Sequence, residues 1–365
     1  MKITDVKTYN LVYPLKEPFA NSRAWSRTRN ANIVEIHTDA GITGWGEGQS
    51  TPTPRTIQTH LIGADPLDTE VIWNAQYGLF GGDTPAMSAV DIALWDIAGK
   101  SLDLPIHRLL GGAFRDRIPA YASGLFKKEK PDIAQALADE ASAYVDQGFP
   151  AVKMKIGLGE NYDVPNVAAV RRAIGDDILF AVDANCAYDV GTAIDIGRKI
   201  VDCDIYWYEE PIPTDDVQGY GEIRQALGLR IAGGEGLQGH RAFRLLLQER
   251  ALDIVQPDLS IAGGFTECRK IQAMASANHI RVLPHMWGTA IRLAATLHWQ
   301  ATIPDESRSL NPPPCLFEFD MTENALRTDL AREPIRAVDG YVAVPQGPGL
   351  GIEIDRNVLE KYTVN

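Results

Sequence analysis

The sequence predicts an α/β protein, a TIM-type (β/α)-barrel with a smaller α+β domain attached. Three observations lead there. From Ile118 onward, short β-rich runs alternate with longer helix-compatible stretches. The first hundred residues follow a different rhythm. A chain of 365 residues also exceeds what one simple core usually holds.

The first predicted pair is the strand Ile118–Ser123 and an Ala-rich helix that starts after Pro131-Asp132 and stops at Gly148. Further strands are expected at Ala151–Ile156, Ile178–Val182, Ile205–Tyr208, Arg230–Gly233, Asp253–Gln256 and Arg281–Leu283, each followed by a helical segment. So many parallel units in series favour closure over an open sheet. Ahead of them, Asn32–His37 and Ile42–Trp45 flank the hairpin turn Asp39-Ala40-Gly41, and Met87–Leu102 has apolar residues at helical spacing. Tyr341–Val344 and the glycine-rich run 347–351 read as a strand and loops returning to this first domain. The expected division is residues 1–115, completed by about 330–365, as a cap over the mouth of a barrel at 116–329.

The formal charge of −13 comes from acids scattered along the chain, and no Lys/Arg stripe is present to neutralise phosphates, which excludes nucleic acid as a partner. An acidic protein that binds an anion needs local positive charge, which a divalent metal supplies. The N-terminal run alternates and contains no signal-like apolar stretch, and no segment is long enough to span a bilayer, so a cytoplasmic location without membrane contact is expected. Cys186, Cys203, Cys268 and Cys315 lack the spacing of a disulfide framework or a zinc site.

The chemistry shows in the spacing. Asp183, Glu209 and Glu235 close three successive predicted strands at intervals of 26 residues (183 to 209, 209 to 235), one βα unit each time. Equivalent strand ends converge on the C-terminal face of a barrel. One such acid would more simply cap a helix or meet an arginine. Three together repel unless a cation holds them, and oxygen-only ligands favour magnesium or manganese.

Lys153 and Lys155 alternate on one strand and so face the lumen together, where two neighbouring cations are expected to depress each other's proton affinity. Asp258 and His285 lie 27 residues apart (258 to 285), again one step, so that the aspartate can fix the imidazole tautomer. The other six histidines, His37, His60, His107, His240, His279 and His298, read as structural. Glu318, in the otherwise apolar run 316–319, is expected to stay protonated and donate a hydrogen bond to a developing oxyanion, or else to serve as a structural ion-pair partner. Together these residues describe removal of a carbon-bound proton beside a carboxylate, with Lys155 and His285 as bases on opposite faces.

The same residues resemble the mandelate racemase subgroup of the enolase superfamily. The resemblance runs through Lys153-Met154-Lys155, Asp183-Ala184-Asn185, Glu209-Glu210-Pro211, Gly234-Glu235, Gln256-Pro257-Asp258 and Pro284-His285, and covers essentially the whole chain. It implies a modified (β/α)7β barrel, with Asp183, Glu209 and Glu235 as the metal ligands. Lys155 is then one acid/base with Lys153 beside it, the Asp258–His285 pair is the other, and Glu318 hydrogen-bonds the substrate carboxylate. A symmetric homo-oligomer, from dimer to octamer, is implied as well. Within the subgroup, Tyr121–Lys127, Gly233-Gly234-Glu235, Pro284–Thr289 and Phe317–Asp320 look most like galactarolactone cycloisomerases, and next like acid-sugar dehydratases. Substrate contacts are expected from Arg23 and Trp25 on the loop at 18–27, and from Asn185 and Trp287.

Three other readings compete. A racemase or epimerase would use the same two bases with no leaving group. A sugar-acid binding protein without activity should have lost part of this constellation, yet none of it is missing. Dinucleotide binding fails at Gly157-Leu158-Gly159, because Tyr162 stands where the third glycine belongs.

Overall fold

A computed structural model describes residues 1–79, 81–307 and 309–364. The chain begins with β1 (Ile3–Ala20), β2 (Trp25–Thr38) and β3 (Thr43–Gly48), an antiparallel sheet whose second turn is the expected one at Asp39–Gly41. β3 reads Thr-Gly-Trp-Gly-Glu-Gly, and the alternation divides its roles. Gly44 and Gly46 lie under the helix Thr84–Leu102, so close that a Cβ on either would run into the carbonyls of Ala93 and Ala89. The residues between them, Trp45 and Glu47, point the other way, toward the barrel.

Eight parallel strands follow: β4 (Arg117–Gly124), β5 (Ala151–Lys155), β6 (Leu179–Asp183), β7 (Ile205–Glu209), β8 (Ile231–Gly233), β9 (Ile254–Val255), β10 (Arg281–Val282) and β11 (Phe317–Asp320). Neighbours from β4 to β10 pair in sequence order, and β11 returns to pair with β4, Phe317 opposite Ala120. The remaining seam, between β10 and β11, is bridged by the Arg281 guanidinium donating to the Pro314 carbonyl at 2.7 Å. Seven of the strands lead into a helix that returns to the next strand, which is the (β/α)7β arrangement.

Alternation along these strands separates two cores. Val152, Met154, Phe180, Val182 and Tyr208 face the surrounding helices. Tyr121, Ala151, Ala181, Trp207, Ala232 and Ile254 fill the lumen, with the Tyr121 and Trp207 rings edge-on at 5.2 Å. This apolar plug closes the barrel beneath the charged residues, as layered side chains do in such barrels.

The chain beyond residue 330 divides between the two units. β12 (Ala337–Val338) and β13 (Tyr341–Ala343) do not return to the first sheet as the sequence suggested; β13 pairs antiparallel with the start of β4, Val342 opposite Ile118. The strand that completes the first sheet is β14 (Thr363–Val364), on the edge of β1. The glycine-rich run does reach the first unit, since Leu350 N–H donates to Asp96 and Ile106 N–H to the Gly349 carbonyl. No helix among the described residues is long and apolar enough to cross a membrane.

Where these parts meet, His107 and His298 stack with their Nδ1 atoms 3.0 Å apart. His298 Nε2 donates to the Leu350 carbonyl, so its Nδ1 must accept from His107, which requires a neutral His298. Burial, more than the neighbouring His107, pushes the His298 pKa down to about 3. An unfolded histidine titrates near 6.5. The folded state therefore refuses a proton that the unfolded chain accepts. Stability is expected to fall by up to about 1.4 kcal/mol per pH unit below about 6.5 from this residue alone. Thermal unfolding from pH 7.5 to 5 should show a shallower slope in His298→Gln, and equal slopes would exclude the effect.

Candidate active site at the barrel mouth

The mouth is built from strand ends at matched register. Lys155 lies opposite Asp183 and Asp183 opposite Glu209, so β5, β6 and β7 bring these side chains to one level. Glu235 is not a strand end as expected. It lies two residues past β8, and the positive φ of Gly234 turns the chain there. Carboxylate oxygens of Asp183, Glu209 and Glu235 nonetheless lie within 4.8 Å of one another. Asn185 links two of them, donating from Nδ2 to Asp183 at 3.2 Å and to Glu235 at 3.4 Å. Its left-handed backbone, φ 46°, is one that asparagine tolerates better than most residues.

The two lysines face the lumen together. Lys153 is 2.5 Å from Glu209 and 2.8 Å from Glu318, while Lys155 pairs with Asp183. The expected mutual depression is outweighed. Burial lowers the proton affinity of Lys155, and Lys153 lowers it further, but Asp183 and the other carboxylates hold it above the ordinary value. Lys153 is held well above its ordinary value by Glu209 and Glu318 against its burial.

The carboxylates differ among themselves. Burial works against ionised Asp183, yet Lys155 and Lys153 keep its pKa below the usual range. Glu209 is pushed up to about 8, by burial first and then by Asp183 and Glu318, with Lys153 pulling the other way. A buried acid so placed is short of positive charge. The oxygen-only donor set, the raised Glu209 and the Glu235 Oε2 atom, buried with no hydrogen-bond donor, all fit a divalent cation such as magnesium.

Of the two expectations for Glu318, a protonated acid and an ion-pair partner, the structure shows the second: Lys153 Nζ lies 2.8 Å from its carboxylate. Its Oε1 accepts from Ser123 Oγ at 2.8 Å and its Oε2 from Met286 N–H at 3.0 Å. Against its burial, Lys153 and His285 hold its pKa far below the usual carboxylate range. The apolar run around Glu318 gave no hint of these partners, which come from other strands.

His285 presents Nδ1 to Asp258 at 2.5 Å, and Asp258 also accepts from Ser260 N–H at 2.8 Å. The carboxylate fixes the tautomer and leaves Nε2 free, 3.3 Å from Glu235. Arg292, fully buried, shares the same Asp258 oxygen. Glu47 of β3 in turn takes the Thr289 N–H at 3.1 Å, the Thr289 hydroxyl at 2.5 Å and the Arg292 N–H at 3.1 Å, capping the helix Ala290–Ala301 from the first domain. Sequence reasoning passed over Arg292 and Glu47. For Glu47 a signal existed: it is the acid between two glycines on a strand whose glycine face is covered. It also assigned no role to Gln256 or Trp207, which both donate to Glu209 Oε2, at 2.7 and 2.8 Å.

Above these residues lies a cavity of about 330 Å³. Lys155, Asn185, Glu235 and His285 form its floor, while Lys153, Asp183, Glu209, Asp258 and Glu318 lie beneath. Phe19 from β1 packs on Phe126 at 4.6 Å, and Trp287 lies against both, its ring covered by Arg29 at 3.7 Å. Arg23 lines the mouth as expected. Trp25 does not: it is half exposed at the first position of β2, and alternation sends its neighbour Ser26 into the cavity instead. A wider and more open depression of about 550 Å³ at Leu158–Tyr162 shares no residue with this chemistry, and Glu160 is the charged residue among its described lining.

A capped parallel barrel whose mouth gathers three carboxylates between a lysine strand and an Asp–His pair has the architecture of the enolase superfamily. Residues 3–111 match the family described as mandelate racemase / muconate lactonizing enzyme, N-terminal domain, and residues 136–358 the enolase C-terminal domain-like family. The chain belongs to the mandelate racemase/muconate lactonizing enzyme family. It is 40% identical to the D-galactarolactone cycloisomerase of Agrobacterium fabrum over 99% of both chains. It is 34% identical to the arabinonate dehydratase of Saccharolobus solfataricus, again over 99% of both. Among solved structures it is similar to the 3,6-anhydro-D-galactonate cycloisomerase of Zobellia galactanivorans, with a TM-score of 0.87 and 36% identity over all of both chains.

Proposed function

We propose that this protein is a magnesium-dependent enzyme that removes the proton beside the carboxylate of a sugar-acid lactone and opens the ring by β-elimination. The product is a 2-keto-3-deoxy acid. The observation that carries the reading is that Lys155 and His285 reach one small cavity from non-adjacent strands, over a floor of carboxylates. The relative that is a D-galactarolactone cycloisomerase supports the choice of substrate.

Asp183, Glu209 and Glu235 would hold the ion, and when bound it supplies positive charge for the substrate carboxylate and the enediolate that follows. Lys155 and His285 flank the substrate carbon, one removing its proton and the other serving the opposite face. Asp258 keeps His285 Nε2 free for the transfer, and Arg292 holds Asp258 in place. Lys153 contributes positive charge from beneath the floor, and ionised Glu318 keeps that ammonium in position. Arg23, Asn185 and Trp287 bound the substrate. Phe19, Phe126 and Trp287 keep one wall dry, which strengthens the electrostatic interactions inside.

A second reading is an acid-sugar dehydratase, which starts from the same enediolate and expels a β-hydroxyl as water; the similarity to the arabinonate dehydratase favours it. The test is incubation of galactarolactone and open-chain sugar acids with the magnesium-loaded protein, followed by proton NMR in deuterated water and a colour assay for 2-keto-3-deoxy acids. A keto product from the lactone is expected. Product from open-chain acids alone would make the protein a dehydratase, and deuterium uptake with inversion and no keto product would make it an epimerase.

A further inference from the structure

The cavity holds two cationic side chains. Lys155 is committed to Asp183, whereas the Arg23 guanidinium has no hydrogen bond or ion pair among the described residues. Arg23 is exposed, and what sets it apart from the other exposed arginines is that it lines this cavity. Its backbone is also held firmly. Ala20 and Lys127 exchange backbone hydrogen bonds at 2.8 and 3.0 Å, tying the end of β1 to the barrel. Ser22 Oγ donates to the Ala184 carbonyl at 2.8 Å, next to Asp183. Asn21 Oδ1 accepts from the N–H groups of Arg23 and Ala24 at 3.0 and 3.1 Å. The other polar groups at this end are Asn21, Ser26, Gln49 and Gln238, all neutral. The cavity thus adds the positive charge of Arg23 and neutral amide donors to its floor, and among the described lining residues its carboxyl and imidazole are those of Glu235 and His285.

We propose that Arg23 binds a second carboxylate, at the end of the substrate remote from the carbon that loses its proton, so that the substrate is a dicarboxylic sugar acid, lactonised or free. The inference rests on the proton abstraction proposed above. In a lactone that carboxylate forms during the reaction. The base takes the α-proton, the electron pair left behind forms the double bond between the α and β carbons, and the β carbon–oxygen bond breaks. The ring oxygen leaves with the bonding pair of that carbon–oxygen bond and becomes part of a carboxylate. The enol then moves its hydroxyl proton to the β carbon and becomes the ketone, so the product is the conjugate base of an isomer of the lactone, and the α-proton taken by the base is released to solvent. A carboxylate needs a cation and no proton donor to leave, and the mouth provides this. A departing hydroxide must be protonated. An open-chain dicarboxylate brings the same second charge already formed.

The experiment compares the affinities of galactarate and galactonate, which differ at the remote carboxylate, for the magnesium-loaded protein by calorimetry. Galactarate is expected to bind roughly ten-fold more tightly, as for one charge-assisted contact, with the ratio falling near one in Arg23→Gln and partly restored in Arg23→Lys. Equal affinities in the wild type, a ratio unchanged in Arg23→Gln, or binding of neither acid would overturn the proposal. Deuterium exchange at the α carbon is followed on the same acids. Exchange with an unchanged ratio would sink the role of Arg23 and leave proton abstraction standing; a collapsed ratio without exchange would do the reverse. Turnover then separates the two sources. A carboxylate that forms in the transition state makes Arg23→Gln lower kcat, while one present in the free substrate makes it raise KM.

Discussion

Replacing Lys155 by alanine is expected to lower kcat about 10³-fold or more while the protein still folds and binds magnesium. A positioned acid or base contributes roughly 10²–10⁴, and Lys155 reaches the cavity floor with its ammonium against Asp183. That carboxylate favours the protonated amine, against its burial. A base must be neutral before it accepts a proton, so Lys155 becomes useful only once positive charge elsewhere engages Asp183. The comparison with His285→Asn shows which of the two starts the reaction. The variant that loses α-deuterium exchange altogether has lost the initiating base, whereas exchange without product marks the later step. If both variants turn over at the wild-type rate, the assignment of this mouth as the reaction site is wrong.

The second large effect is expected from the cation. Removal of magnesium by a chelator should abolish turnover, and addition of magnesium should restore it and raise the unfolding temperature. Binding at a hundred times the dissociation constant stabilises by about 2.7 kcal/mol. Glu235→Gln is the informative substitution. Asp183 and Glu209 are buried among several partners, so their loss disturbs the barrel itself. Glu235 is partly exposed, and among the described residues its side-chain contacts are the long ones to Asn185 at 3.4 Å and His285 at 3.3 Å. Glu235→Gln should therefore remain folded, lose the magnesium-dependent rise in unfolding temperature and lose activity. A variant that keeps the full rise would remove Glu235 from the ligand set.

Much of this site could be read from the chain because its parts repeat with the βα unit. Asp183, Glu209 and the Asp258–His285 pair occupy the same phase of successive units, and the alternation in Lys153-Met154-Lys155 fixes which side chains enter the lumen. The parts that escaped depend on contacts between distant segments. Glu47 and Thr289 are separated by 242 residues. The sequence leaves both a protonated and an ion-paired Glu318 open, and the choice depends on Lys153, which the flanking apolar residues do not reveal. Tyr341–Ala343 carries a strand pattern in either setting, and only the open edge of β4 decides where it pairs. The loop expected at 18–27 is shorter, because β1 runs to Ala20 and β2 starts at Trp25, and strand alternation then turns Trp25 away from the cavity.

The cap that Glu47 places on the barrel helix has an implication for how such enzymes can be recombined. The first domain contributes the loop that lines the cavity, which makes it the natural part to exchange between relatives when a new specificity is sought. It also satisfies the backbone of the helix whose Arg292 steadies the partner of His285. The two units are therefore not interchangeable modules. A chimera that imports a foreign first domain inherits the Asp258–His285 pair intact only if a carboxylate arrives at position 47 with it, so grafting the segment at 18–27 alone is the sounder engineering route.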